Sequence, residues 1–257
     1  MNLDVIYNED CISGMRKIPD KSIDLIVCDL PYGITDCKWD IVIPFEELWE
    51  QYTRIIKDNR AIVLFGAEPF SSKLRLSNLS WFKYDIIWDK RKVSGFTNAK
   101  LKPLSQHEII SVFSNGKTAN GSKNNMLYNP QGLVEVNKVC KNLERTEGET
   151  SFKRKNALTA KEYVQKYTNY PTTIIKFDRG YGWVHPTQKP VDLIEYLIKT
   201  YSNEGDIVLD NCIGSGTTAI AAIRTNRHFI GFEIEEKFFK ISVDRISEEL
   251  STKINVI

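Results

Sequence analysis

The chain has 257 residues, 42% of them hydrophobic, enough to bury a full core as one large domain or one domain with an insertion. Its apolar runs fall short of a membrane span, and its first residues lack the basic start and apolar core of a signal peptide. Five cysteines without a C-x-x-C pair argue against structural zinc or a disulfide framework, so a reducing cytoplasm is the expected compartment and no metal is called for. The net charge of +2 conceals an asymmetry. Residues 90–179 carry 17 Lys and Arg against 7 Asp and Glu, and the rest of the chain is net acidic. A basic middle on an acidic body suggests a surface that meets a polyanion, although lysine-rich segments are commonly plain solvated loops.

The first 114 residues alternate between strand and helix patterns. LDVIY (3–7) is a short strand candidate, and SIDLIVCD (22–29) is a buried one, nearly continuous in apolar residues. PFEELWEQYTRIIKD (44–58) has helical spacing with Pro44 near its start. AIVLFG (61–66) is a further buried strand, Pro69 opens a short helix, and WFKYDIIW (81–88) and EIISVF (108–113) complete the set. Residues 115–180 break the rhythm. SNGKTANGSKNN is turn-forming and NKVCKNLERTEGETSFKRKN is too charged for a core element, so this stretch reads as an insertion. The pattern then resumes with a helix at 190–202, a strand at 205–210, a helix at 217–225, a strand at 228–233 and a final helix at 235–250. Alternation of this kind predicts an α/β domain, 1–114 with 181–257, around a mainly parallel sheet.

IVLDNCIGSGTTAIAA reads as strand, acid, glycine turn, helix. Gly214 and Gly216 permit backbone geometry and close approach that side chains would block, and Thr217 and Thr218 are placed to cap the next helix. Glu233 ends the following strand, where a carboxylate can take two ribose hydroxyls. GSGTTA also fits a dinucleotide fingerprint, which brings in an NAD-type oxidoreductase. Only one strand and one helix follow, however, and Asp210 would repel a pyrophosphate while suiting an ammonium. S-adenosylmethionine (SAM), with an ammonium, a ribose and no phosphate, is the better match.

Together these segments resemble the amino-group DNA methyltransferases of the β arrangement, in which a catalytic tetrapeptide comes first, target recognition next and the SAM loop last. The resemblance spans nearly the whole chain: EDC (9–11), DLPYG (29–33), PF (69–70), HPTQKP (185–190), DNCIGSGTT (210–218) and GFE (231–233). HPTQKP followed at this distance by DNCIGSGTT is the specific pair. The resemblance implies a Rossmann-like fold in circularly permuted order, double-stranded DNA as substrate and SAM as cofactor. A homodimer and a cognate restriction enzyme are compatible with such a protein.

The resemblance also implies roles. Asp29 and the Leu30 carbonyl would accept the two hydrogens of an exocyclic amine, Pro31 would stiffen the turn, and Tyr32 would stack on a base that has left the helix. The family's commoner tetrapeptide has proline where Leu30 stands, but a main-chain carbonyl does not depend on the side chain. Asp10 would accept from the SAM adenine amine, although Asp is also a favoured cap, as is Thr. Thr187 and Lys189 would lie near the methionine carboxylate, with Asp210, Gly214, Gly216 and Thr217 forming the cofactor loop and Glu233 on the ribose. Lys153, Arg154 and Lys155 in the insertion, with Phe152, Tyr163, Tyr167 and Tyr170, are the candidate DNA contacts. An acidic first residue in the tetrapeptide goes mostly with adenine N6 in this arrangement, which leaves cytosine N4 as the runner-up. A cytosine-C5 enzyme is excluded, because no cysteine follows a proline. An RNA- or protein-directed amino methyltransferase could use the same clamp, but the basic insertion and the motif order favour DNA.

Overall fold

The computed structural model describes residues 2–35, 37, 40–141, 162–178 and 188–254. In chain order the elements are β1 (Val5–Tyr7), α1 (Cys11–Met15), β2 (Ile23–Cys28), α2 (Phe45–Ile55), β3 (Ile56–Gly66), α3 (Phe70–Ser77), β4 (Phe82–Ser94) and β5 (Ser105–Phe113). Then come β6 (Val134–Lys141), β7 (Glu162–Thr168), β8 (Ile174–Lys176), α4 (Val191–Tyr201), β9 (Ile207–Asp210), α5 (Thr217–Arg224), β10 (His228–Phe232) and α6 (Glu236–Ile254).

Eight strands form one sheet in the order β1-β10-β9-β2-β3-β5-β4-β8. Its neighbours pair in parallel except around β5, which runs antiparallel to both β3 and β4. Strands this central must be apolar on both faces, and β2 is buried at every position. Its one charged residue, Asp24, is held by Lys57 at 2.8 Å and Arg60 at 3.1 Å, so the buried carboxylate is paired.

Side-chain alternation sends the strand residues into two cores. Leu25, Val27, Val63 and Phe65 meet Leu197 of α4 and Ala221 of α5, whereas Ile26, Cys28, Ile62 and Leu64 meet Met15 of α1, Tyr52 of α2 and Leu74 of α3. The result is a sheet between two helical layers. Truncating a β2 side chain on either face would open a cavity, at about 2–5 kcal/mol for Leu or Ile to Ala.

The sheet order fixes where a ligand can bind. From β2 the chain passes through α2 to β3 on one side, and from β9 it passes through α5 to β10 on the other. Adjacent parallel strands whose connections diverge leave a crevice at their carboxyl ends. Residues 29 and 210 stand at that point.

The chain divides into two compact units, Met1–Asn129 with Thr173–Ile257, and Pro130–Thr172. The smaller unit is shorter at both ends than the 115–180 insertion expected from sequence. Despite its turn-forming composition, the 115–129 stretch bonds back to the larger unit: the Leu127 amide donates to the Asn59 carbonyl at 2.9 Å and the Asn129 amide to the Thr200 carbonyl at 2.7 Å. Ile174–Lys176 is likewise a strand of the main sheet, parallel to β4. Among the described residues of the smaller unit, β6 and β7 pair as an antiparallel ribbon with a bulge between Glu135 and Lys138. Among the described residues no helix is long and apolar enough to cross a membrane.

Candidate active site

A cavity of about 670 Å³ opens at the carboxyl ends of β2, β9 and β10. Asp10, Asp29, Leu30, Pro31, Tyr32, Lys189, Asp210, Gly214, Thr217 and Glu233 all line it. Residues spread over more than 220 positions of sequence thus share one wall. Thr187 and the Lys153, Arg154, Lys155 cluster lie outside the described residues, as does Phe152.

Asp29 stands immediately past β2. Tyr32 donates its hydroxyl to Asp29 Oδ1 at 2.5 Å, and Lys189 Nζ lies 2.5 Å from Asp29 Oδ2. The Tyr32 ring stacks on Phe70 at the start of α3, with centroids 4.9 Å apart and planes 30° apart. Phe70 therefore backs the ring to which the family resemblance assigns base stacking. Burial pushes the Asp29 carboxyl above its ordinary value, and Lys189 and the Tyr32 hydroxyl pull it back only in part.

Lys189 is itself buried, which works against its charge, yet Asp29 and Glu108 together hold its pKa above the ordinary lysine value. Glu108 lies 3.3 Å from Lys189 and 3.3 Å from the buried Lys90. Burial works against the Glu108 charge too, but Lys189 and Lys90 outweigh it and keep this carboxyl below its usual range. Acids and bases alternate along Asp29, Lys189, Glu108 and Lys90. Lys189 faces Asp29 and Glu108, whereas the resemblance places it at a cofactor carboxylate. Glu108, Lys90, Phe65 and Trp88 do not stand out in the sequence, because an acid at the start of an apolar strand gives no sign of a buried partner.

The turn after the tetrapeptide is gathered by Asp40. Its carboxylate accepts from the amides of Gly33, Ile34 and Thr35 at 2.8, 2.9 and 2.7 Å and from the Thr35 hydroxyl at 2.8 Å. Burial opposes its charge, but these donors hold its pKa below the ordinary carboxylate value. Nothing in the sequence pairs residue 40 with residues 33–35.

On the neighbouring strand, Asp210 closes β9. It accepts from the Thr218 hydroxyl at 2.6 Å and the Cys212 amide at 3.1 Å, and burial raises its pKa to about 6. Glu233 follows β10 and accepts from the amides of Gly214 at 2.9 Å and Glu235 at 2.8 Å, its carboxyl also raised by burial. Asp10 is the N-cap of α1 and accepts from the Ser13 amide at 2.9 Å. That short helix can lie against β10 because residue 14 is glycine. A Cβ there would stand 2.1 Å from the Phe232 ring.

One expectation for the glycine loop is corrected. Neither threonine caps α5, whose N-cap is Gly216 without a side-chain hydrogen bond: Thr218 is spent on Asp210, and Thr217 Oγ1 is buried without a partner among the described residues. Gly216 is not part of the cavity lining. It has φ of +82°, and a Cβ there would meet Ser242 of α6 at 3.0 Å, so this glycine serves the turn and the packing of α6.

The donor set fits SAM. A buried carboxylate at Asp210 suits an ammonium, Glu233 at the next strand end suits vicinal hydroxyls, and the orphaned Thr217 hydroxyl awaits a polar partner. A pyrophosphate would instead meet Asp29, Asp210 and Glu233, which opposes the dinucleotide alternative.

Residues 23–244 match the DNA methylase family N6_N4_Mtase, which covers well over half of the chain. The chain belongs to this DNA methylase family. It is 29% identical to the type II methyltransferase M.HinfI of Haemophilus influenzae over 96% of this chain and 69% of that protein. It is 27% identical to the type II methyltransferase M.HindIII of the same species over 96% of both chains. Among solved structures, the M1.HpyAVI–SAM complex superposes with a TM-score of 0.61 at 22% identity, covering 94% of this chain and 98% of that one. PvuII DNA methyltransferase, described as cytosine-N4-specific, gives 0.61 at 14% identity, covering 97% and 92%. These superpositions establish that the sheet and its two helical layers are those of DNA methylases.

Proposed function

We propose that this DNA methylase transfers the methyl group of SAM to the N6 amine of an adenine flipped out of double-stranded DNA. The observation that carries this reading is the shared cavity. Asp29, with Tyr32 stacked on Phe70, lines it together with Asp210 and Glu233, the residues that close β9 and follow β10.

An exocyclic amine is a poor nucleophile because its lone pair is delocalised into the ring. Asp29 and the Leu30 carbonyl would each accept one of its hydrogens, localising the lone pair and aiming it across the cavity. SAM would supply an electrophilic methyl group there, its C–S bond breaking with the electron pair retained on sulfur as the neutral thioether leaving group. Lys189 favours the ionised form of Asp29, which is the stronger acceptor and carries no donor proton. The Tyr32 hydroxyl on Oδ1 gives way as a base stacks on its ring, and the amine takes that position. Attack leaves the amine with a surplus proton, which Asp29 is placed to receive. Catalysis then comes from positioning and fixed charges in a dry site.

Adenine is favoured over cytosine by the acidic first residue of the tetrapeptide. The Pro130–Thr172 unit, with Lys153, Arg154 and Lys155, is proposed to read the target sequence. Digesting DNA methylated by the enzyme and weighing the nucleosides tests the base: N6-methyldeoxyadenosine is expected. N4-methyldeoxycytidine in its place would overturn the base assignment and leave the clamp standing.

A further inference from the structure

The connection from β4 to β5 takes no part in the chemistry of the cavity, and its composition is unusual. From Arg91 to His107, the end of β4 and the connection to β5, the sequence holds four Lys and Arg and no Asp or Glu. β4 runs parallel to β2, so its carboxyl end, and hence this connection, leaves the sheet at the edge where the cavity opens. Trp88 and Glu108 face each other in the β4–β5 ladder and both line the cavity. The same ladder continues to the Ser94–Ser105 pair, six residues past Trp88 and on the order of 20 Å along an extended strand. The tip is therefore a direct extension of the cavity wall.

The tip is folded. Gly95, at φ +89°, starts a single 3₁₀ turn over Phe96–Asn98, and the amides of Asn98, Ala99, Leu101 and Lys102 all donate to carbonyls within it. Yet its large apolar residues are displayed: Phe96 is 67% exposed and Leu101 84% exposed. Arg91, Lys92, Lys100 and Lys102 are exposed beside them. Loose lysines on a loop would be an ordinary solvated surface. A hydrogen-bonded turn that presents an aromatic ring beside cations, with no Asp or Glu in residues 91–107 and one carboxylate, Asp178, 3.9 Å from Arg91, is complementary to a polyanion whose core is a stack of flat bases.

We propose that the β4–β5 tip docks on the DNA duplex beside the target base, its basic side chains on the phosphates and Phe96 against the bases next to the vacated position. This rests on the DNA methylation reading and adds a second contact element to the Pro130–Thr172 unit. It makes the tip an aid to keeping the base out of the helix, since stacking on Phe96 compensates for the stacking given up in the duplex.

The test uses the full-length enzyme and a duplex containing its target site. In a variant with Arg91, Lys92, Lys100 and Lys102 all changed to glutamine, the log–log dependence of DNA affinity on salt should flatten by about 0.9 for each phosphate no longer neutralised. Phe96→Ala should slow single-turnover methylation of the intact duplex by roughly 5- to 150-fold, the range for removing one aromatic ring from a base. Phe96→Trp should restore the rate. A duplex with an abasic position opposite the target base, where flipping is already easy, should erase most of the Phe96→Ala defect. SAM affinity should be unchanged in every variant, because none of these residues lines the cavity. Variants that match the wild type in salt slope and rate would overturn the proposal. A wild-type enzyme that fails to methylate any DNA would instead overturn the function on which it rests.

Discussion

Lys189 Nζ sits between two carboxylates, 2.5 Å from Asp29 Oδ2 and 3.3 Å from Glu108 Oε2, and is itself buried. Asp29 is the stronger acceptor, with no donor proton of its own to oppose the amine, when ionised. Burial raises its pKa, and Lys189 is the largest influence in the opposite direction. Removing that cation should therefore raise the Asp29 pKa further. In Lys189→Met, the acid limb of the single-turnover pH–rate profile should move toward neutral pH, each unit of displacement giving about a tenfold loss at a fixed acidic pH. Lys189→Arg keeps the charge and should shift the limb less. An unmoved acid limb in the methionine variant would show that Lys189 does not control Asp29.

Asp29 itself offers a sharper test. Asparagine in its place keeps one acceptor oxygen but adds an NH₂ group that can point a donor at the amine. Loss of one preorganised group of this kind typically lowers the rate by about 10²–10³-fold. Tritiated methyl transfer into DNA by Asp29→Asn should fall by that much or more. Affinity for DNA should be nearly unchanged, since the carboxylate lies inside the cavity and away from the phosphate backbone. Near-full turnover would rule out the clamp.

Much of this architecture is legible in the sequence because parallel strands buried on both faces leave continuous apolar runs, as in IVLFG and DLIVC. What the sequence conceals has physical causes. α1 has only five residues and owes its place to Gly14 against Phe232, a contact across the fold. β3 and β4 run well beyond the segments 61–66 and 81–88, because at a sheet margin charged residues such as Lys57 and Arg60 can pair with Asp24 and still keep strand geometry. β6 and β7 are exposed along most of their length, so burial left no apolar signature to find. In the site, the motif positions converge, but their partners do not announce themselves. Glu108 and Asp40 act through hydrogen bonds and charges that only the fold creates.

Asp210 predicts a pH dependence of cofactor binding. Its pKa of about 6 reflects burial, and its proposed task is to face an ammonium, which requires the ionised form. As pH falls through about 6 the carboxylate takes up a proton, and SAM affinity should weaken toward a limit of tenfold per unit. A folded pKa above the ordinary carboxylate value means that protonation of this group favours the folded state. The loss of binding is thus not an acid unfolding driven by Asp210. Calorimetric titration between pH 5 and 8, choices that bracket this pKa, should show the slope in the wild type and a weak, flat affinity in Asp210→Asn. A wild-type affinity independent of pH over that range would place the ammonium elsewhere.

Gly216 separates a structural glycine from a cofactor-contacting one. Alanine there would have to adopt φ of +82° while its Cβ lay 3.0 Å from Ser242 Cβ and 3.3 Å from Ser242 Cα. The left-handed backbone alone costs about 1–2 kcal/mol for a residue with a Cβ, and the contact with α6 adds to it. Gly205 is an internal control, with φ of +80° and nothing within 4 Å of the point where a Cβ would stand. Urea unfolding should show Gly205→Ala losing about 1–2 kcal/mol and Gly216→Ala losing more, with the excess measuring the packing of α5 against α6. At temperatures where Gly216→Ala is still folded, its SAM affinity should stay within a few-fold of wild type. Equal losses in the two variants would show that α6 yields freely. A Gly216→Ala protein of wild-type stability that no longer binds SAM would return this glycine to the cofactor site.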